Sequence, residues 1–286
     1  MEPEQKSWTS DFVAAMRAFY GELSPELDVA TDPVALGMLS LKWLLPVKAL
    51  SVPGVSRAVH WGLGHISLGL SCNVPLRTAA IDAALRRELA AGTRQLVILG
   101  AGLDARAYRL PELAEARVFE VDHPATSRVK ERLVQGLTPL AREVRSIQVD
   151  FERDSLEEAL READFRAAEP SVWIWEGVTM YLTRSAQLAT LGAIANQSAP
   201  GSALCMTYLP PWRGALRRVS YFALGKLGEP ILGEIPREDV ARALSERGFD
   251  VTHDTDGLDW AQRYWPASER SLVQVWERLA VARRRS

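Results

Sequence analysis

The run Gln95-Leu96-Val97-Ile98-Leu99-Gly100-Ala101-Gly102-Leu103-Asp104-Ala105-Arg106 leads an apolar stretch straight into two closely spaced glycines. A nucleotide-like ligand at the end of a first strand needs glycines there, because the turn is tight and a Cβ would keep the backbone away. The run also fits the loose dinucleotide fingerprint, with Ala105 in the third small position, so the loop alone leaves the ligand open. Asp104 weighs against a pyrophosphate, which wants the positive end of the following helix and no acid beside it. A cationic ligand suits that local charge better.

Three further acids follow at the ends of apolar runs. In Phe119-Glu120-Val121-Asp122-His123-Pro124, Asp122 comes about twenty residues after the glycines, where an acid accepts hydrogen bonds from both ribose hydroxyls. NAD and S-adenosylmethionine proteins share that geometry, so both remain open at this point. Lys130 downstream is expected on a solvated helix face. In Val149-Asp150-Phe151-Glu152, Asp150 can accept a bond from an adenine amino group while Phe151 packs on the ring. In Val172-Trp173-Ile174-Trp175-Glu176-Gly177, the tryptophans read as sheet core and Glu176 as the acid that meets a cationic group outside the strand end.

These motifs sit in a regular alternation of strand and helix signals. Strands are expected at 96–99, 118–121, 144–149, 172–175, 203–208, 249–252 and 272–281, and helices at 127–137, 156–163, 185–197 and 237–247. Ile81, Leu85 and Leu89, followed by Gly92, mark a helix from Thr78. Such alternation predicts an α/β fold with a largely parallel sheet covered on both faces. Residues from about 10 to 75 read as irregular helices broken at Asp32-Pro33 and Val52-Pro53-Gly54. The expected organisation is an N-terminal helical cap over 1–76 and a core over 77–286, with an insertion at about 210–236 acting as a lid.

Composition excludes several classes. The chain has 286 residues, 47% apolar and 24% charged, with a formal net charge of -2 and a pI near 6.2, which disfavours nucleic acid as the main ligand. Cys72 and Cys205 make no disulfide framework and no zinc motif, so they are expected to be packing residues, and no metal is expected. The polar start lacks a secretory pattern, which points to the cytoplasm. The apolar stretch 34–72 is interrupted by Lys42, Pro46, Lys48, Pro53, Arg57 and His60 and holds no membrane span; it reads as packed helices lining an apolar pocket.

Taken in order, the four runs resemble the leucine carboxyl methyltransferase family, including its bacterial S-adenosylmethionine-dependent and polyketide O-methyltransferase branch. The likeness is densest over 95–182. Typical members carry Leu-Gly-Ala-Gly-Leu-Asp-Thr-Arg followed by Arg-Leu; here Leu99 to Arg106, then Arg109-Leu110, departs only at Ala105. The resemblance implies a class I methyltransferase (Rossmann-like) fold, a seven-stranded, mostly parallel sheet in the order 3-2-1-4-5-7-6 with strand 7 antiparallel. It also implies S-adenosyl-L-methionine as cofactor and S-adenosyl-L-homocysteine as product. Gly100, Ala101 and Gly102 would then hold the methionine end, Asp122 with His123 the ribose, Asp150 and Phe151 the adenine, and Glu176 with Gly177 the amino group. Arg77, in Val74-Pro75-Leu76-Arg77-Thr78, looks like the family arginine that binds the cofactor carboxylate, which a guanidinium does best. Arg17 is a further candidate for that contact.

The expected reaction is O-methylation of a small, hydrophobic acceptor. A carboxylate acceptor needs no base, whereas a hydroxyl would need proton removal, for which His60, His65 and Tyr208 are the catalytic candidates. Protein C-terminal carboxyl methylation, a non-catalytic cofactor-binding protein and an NAD-dependent dehydrogenase are the alternatives.

Overall fold

The computed structural model describes residues 8–21, 27, 29–52, 54–151, 153–211, 225–226 and 230–286. Its centre is one sheet of β1 (Gln95–Leu99), β2 (Arg117–Asp122), β3 (Glu143–Gln148), β4 (Val172–Trp175), β5 (Ala203–Tyr208), β6 (Phe249–Asp256) and β7 (Arg278–Arg284). The order is β3-β2-β1-β4-β5-β7-β6. β1 to β5 run parallel, and β7 is antiparallel to both β5 and β6. Order and strand direction are those that the family resemblance implies.

Burial explains which runs became strands. β1, β4 and β5 are buried at every position, as strands covered on both faces must be, whereas edge strands β3 and β6 mix exposed and buried residues. Leu96, Ile98, Val118, Val172, Ile174 and Cys205 face one apolar layer. Val97, Leu99, Phe119, Trp173, Trp175, Leu204 and Met206 face the other. The first layer is closed by α1 (Trp8–Gly21), α4 (Leu70–Ala90) and α10 (Gly257–Tyr264); the second by α7 (Leu156–Glu162), α8 (Arg184–Asn196) and α9 (Arg237–Glu246). Cys72 and Cys205 are free thiols packed in the first layer.

Ahead of the sheet, α2 (Leu41–Leu50) and α3 (Val55–Ile66) follow α1. The Asp32 carboxylate accepts the Ala35 amide at 3.0 Å and starts a 3-10 turn at Ala35–Met38. Between α3 and α4 the backbone reverses through Leu68 (φ 53°) and Gly69 (φ 82°). A Cβ on Gly69 would stand 2.5 Å from the Leu272 carbonyl oxygen, so this turn admits only glycine.

Several sequence expectations are corrected. α4 begins at Leu70, not Thr78, so Arg77 sits inside one continuous helix that also contains residue 76. The helix expected at 127–137 is α6 (Pro124–Leu133): Pro124 fits its first turn and the His123 ring nitrogen accepts the Ala125 amide at 3.2 Å. The apolar run near 272 is not strand. Residues Arg270–Leu272 form a 3-10 turn whose Leu272 packs against Gly64, and β7 starts only at Arg278. β6 extends to Asp256 through a bulge between Val251 and His253. The insertion at 210–236 lies mostly outside the described residues; at its end, the Leu232 and Gly233 amides donate to the Met180 carbonyl at 2.8 and 3.0 Å.

Lys130 is also corrected. It is buried, with its ammonium 2.8 Å from Glu120, because α6 packs its first turns against β2. Burial pushes the Glu120 carboxyl up, and Lys130 offsets part of that rise. Breaking a buried pair from one side leaves an uncompensated charge, so Lys130→Met should cost about 3–5 kcal/mol in urea denaturation. Glu120→Leu in the same chain should restore most of that loss, since an apolar pair of similar volume avoids the desolvation penalty.

Candidate cofactor site

The site stands at the carboxyl edge of β3, β2, β1 and β4, where strand ends of parallel sheets bind ligands. After β1 the chain turns through Gly100 (φ 67°) and Gly102 (φ 45°). A Cβ on Gly100 would reach within 2.2 Å of Val178, so the glycine loop and the segment after β4 meet only because that side chain is missing. The Gly100 and Ala101 amides both donate to the Val121 carbonyl, at 2.8 and 3.1 Å, fastening the loop to the end of β2.

Asp122 completes the fastening. Its Oδ2 accepts the Gly102 amide at 2.5 Å and its Oδ1 the His123 amide at 2.6 Å. Burial pushes its carboxyl up against the pull of those two amides. Each carboxylate oxygen carries a second lone pair, so the group can still accept bonds from a ribose. Asp150 follows β3 with its backbone amide donating to Asp154 at 2.8 Å and its carboxylate 3.7 Å from Arg153. Phe151 is half-buried against the second apolar layer.

Glu176, at the end of β4, is held by two guanidiniums: Arg77 Nε donates to Oε1 at 2.7 Å and Arg106 Nη1 stands 2.9 Å from Oε2. Burial pushes Glu176 up, but Arg106 and Arg77 outweigh it and hold the carboxyl below its ordinary value. Gly177 (φ 68°) turns the chain next, its amide donating to Thr207 Oγ1 at 2.8 Å.

These contacts belong to one chain of alternating charge. Arg17 Nε bonds Asp32 at 2.9 Å, and Asp32 lies 3.7 Å from Arg109. Arg106 Nε donates to Asp82 Oδ1 at 2.7 Å, and Arg109 Nη1 forms an ion pair with Asp82 Oδ2 at 2.7 Å. Arg106 also pairs with Asp104 and Glu176, and Arg77 joins Glu176 to Glu277. Every member is buried or nearly so. The chain thus runs from α1 through α4 and the glycine loop to the residue before β7.

Its members include residues that the sequence reading left without a role. Asp82, Arg106 and Arg109 sit in or beside the motifs, but no local spacing rule assigns them partners, and Glu277 carries no motif at all. Arg17, proposed to touch the cofactor, also donates from Nη2 to the Leu103 carbonyl at 2.5 Å, tying α1 to the glycine loop. Asp104, read from the sequence as an acid that disfavours a pyrophosphate, is engaged through both of its oxygens. Its Oδ1 accepts the Arg106 amide at 2.7 Å and its Oδ2 pairs with the Arg106 side chain. Burial raises its carboxyl, but Arg106 and Lys130 outweigh that and bring it down to about 2.

The three candidate bases are dispersed. His60 is fully buried between the Tyr20 hydroxyl (2.9 Å) and Glu269 (3.2 Å), and burial pushes its imidazole down. His65 is exposed, bonded to the Trp61 carbonyl at 2.7 Å and stacked on the Trp61 ring. Tyr208 faces the second apolar layer and donates to Asp254, at 2.9 Å to Oδ2; burial and that carboxylate push its phenol well up.

The sequence pattern of the leucine carboxyl methyltransferase family matches residues 12–195. A relative from Mycobacteroides abscessus is 37% identical over 259 residues, covering 86% of this chain and 82% of its own. One from Streptomyces coelicolor is 34% identical over 270 residues, covering 90% and 85%. Both are named as S-adenosyl-L-methionine-dependent methyltransferases. Among solved structures, a protein named as a methyltransferase from Thermobifida fusca superposes with a TM-score of 0.53 at 18% identity, covering 95% of this chain and 94% of that one. A protein from Streptomyces avermitilis does so at 0.58 and 14%, covering 81% and 91%, which supports the fold. The chain belongs to the leucine carboxyl methyltransferase family and is an S-adenosyl-L-methionine-dependent methyltransferase.

Proposed function

We propose that the protein transfers the methyl group to an oxygen of a small, hydrophobic acceptor, with Asp122 on the cofactor ribose, Asp150 and Phe151 at the adenine, and Glu176 at the amino group. Gly100, Ala101, Gly102, His123 and Gly177 supply close-approach backbone around it, and Arg77 orients the carboxylate end. The observation that carries the cofactor assignment is the composition of the charge chain. Four guanidiniums, Arg17, Arg77, Arg106 and Arg109, face five carboxylates, Asp32, Asp82, Asp104, Glu176 and Glu277. Burial pushes Glu277 up, and Arg77 offsets only part of that rise. An incoming ammonium and sulfonium relieve that excess, whereas a pyrophosphate would add to it.

Held by Asp122, Asp150, Phe151, Glu176 and Arg77, S-adenosyl-L-methionine would supply an electrophilic methyl, passed to the acceptor oxygen with the S–CH3 electron pair left on the sulfur of S-adenosyl-L-homocysteine. The protein's part is to position the two reactants and exclude water. His60, His65 and Tyr208 are each engaged elsewhere in the fold, which favours an acceptor oxygen that is already ionised, a carboxylate or an acidic hydroxyl, over one that needs a base. A panel of hydrophobic carboxylic acids and phenols with isotopically labelled donor tests this. O-methyl products should form, with a rate that follows the acceptor's own ionisation and shows no inflection near pH 6.5 from a histidine. Methylation of carbon or nitrogen, or of a peptide C-terminus in preference to small acids, would overturn the reading.

The site assignments are tested at Asp122. Asp122→Ala should weaken S-adenosyl-L-homocysteine binding in calorimetry by about 1–3 kcal/mol, with Asp122→Asn intermediate because one acceptor oxygen survives. Unchanged affinity in both would remove Asp122 from the ribose.

Asp104 makes a prediction in pH. Its folded value, about 2, lies below the ordinary 3.8, so its stabilisation is present above pH 3.8 and is lost as pH falls through about 2. The shift corresponds to about 2 kcal/mol. Asp104→Asn should therefore flatten the fall of denaturant-measured stability between roughly pH 4 and pH 2 by that amount.

A further inference from the structure

Seven of the twelve large apolar side chains that the described residues expose fall in a single stretch, from Leu41 to Ile66. Leu41 is 72% exposed, Leu45 64% and Ile66 83%, and Leu50, Val52 and Val55 are exposed between them. The sequence led to the expectation that this stretch lines a pocket; these side chains instead point outward from α2, the connection and α3. Soluble proteins seldom expose so many large apolar side chains within one short stretch unless something covers them.

Charge says what kind of surface that is. From residue 33 to residue 81 the chain contains no aspartate or glutamate, while Lys42, Lys48 and Arg57 are exposed among the apolar residues. The acids that Lys42 and Arg57 meet, Asp11 and Glu269, are buried beneath them, so the cations form the outer layer. Trp61, itself exposed and stacked on His65, adds an amphipathic ring of the type that settles at bilayer interfaces. A second copy of the chain placed face to face would oppose these cations with the same cations. The chain's own segment 212–229 carries Arg213, Arg217, Arg218 and Lys226 against a single acid, Glu229, and is a poor electrostatic match as well.

We propose that α2, α3 and their connection dock the protein on an anionic phospholipid surface, the leucines and Ile66 entering the acyl boundary while Lys42, Lys48 and Arg57 meet headgroup phosphates. Among the described residues no helix is long and apolar enough to cross a membrane, so this is contact in the plane of the interface. The docking stands independently of the acceptor reading.

Flotation of the full chain with phosphatidylcholine vesicles, with and without about a third phosphatidylglycerol, tests it. The protein should float with the anionic vesicles and not the neutral ones, and should be released between 0.15 and 1 M salt, where the Debye length falls from about 8 to 3 Å. Leu45→Asp with Ile66→Asp should reduce the floated fraction about tenfold and Lys48→Glu several-fold. All three positions are exposed, so S-adenosyl-L-homocysteine affinity should be unchanged and reports that the variants are folded. Failure of the wild-type chain to bind that ligand would sink the cofactor site without touching this proposal. Absence of flotation, flotation insensitive to the aspartates, or a solution dimer that the aspartates dissociate would each overturn the docking.

Discussion

The charge chain at the candidate cofactor edge depends on Arg106 being held by three carboxylates at once. A buried guanidinium is expensive to desolvate and is tolerated only where its neighbours answer its charge and its donors. Asp82 comes from helix α4, Asp104 from the glycine loop and Glu176 from the end of β4, so satisfying one side chain fixes three elements relative to each other. Arg109 and Arg77 extend the same logic outward, one to Asp32 beside the N-terminal turn, the other to Glu277 before the last strand.

This arrangement accounts for a division of labour among acids that look alike in sequence. Asp82, Asp104 and Glu176 are held ionised by arginines. Burial instead pushes Glu120, Asp122 and Glu277 upward. The first group are anchors in which neighbouring guanidiniums outweigh burial; in the second the neighbouring cations and amides do not. Asp104 belongs with the anchors, which moves the preference for a cationic ligand from that one residue to the balance of the full set.

The sheet was legible because its signals are local. A tight turn after β1 shows in Gly100 and Gly102, strand-end acids show as a polar letter after an apolar run, and the order of the strands came from the family resemblance that those motifs carry. Lys130 was misplaced because a lysine in a polar helix reads as solvated unless its partner on β2 is known. The helix start at Leu70 was hidden by Pro75, and the run at 272 carried a strand's composition while packing as a turn against Gly64. The charge chain was invisible for a deeper reason: its bonds join residues as far apart as Arg77 and Glu277, separated by 200 positions, and no periodicity reports such a pairing.

That separation has a temporal side. Synthesis at about 5–20 residues per second puts Glu277 into the growing polypeptide some ten to forty seconds after Arg77. Until then a nascent chain already holding Arg77, Asp82, Arg106 and Glu176 has no antiparallel strand between β5 and β6. β7 therefore closes the sheet and delivers the last carboxylate in one event. The same step covers the open edge of β5 and takes it out of the reach of other unfinished chains.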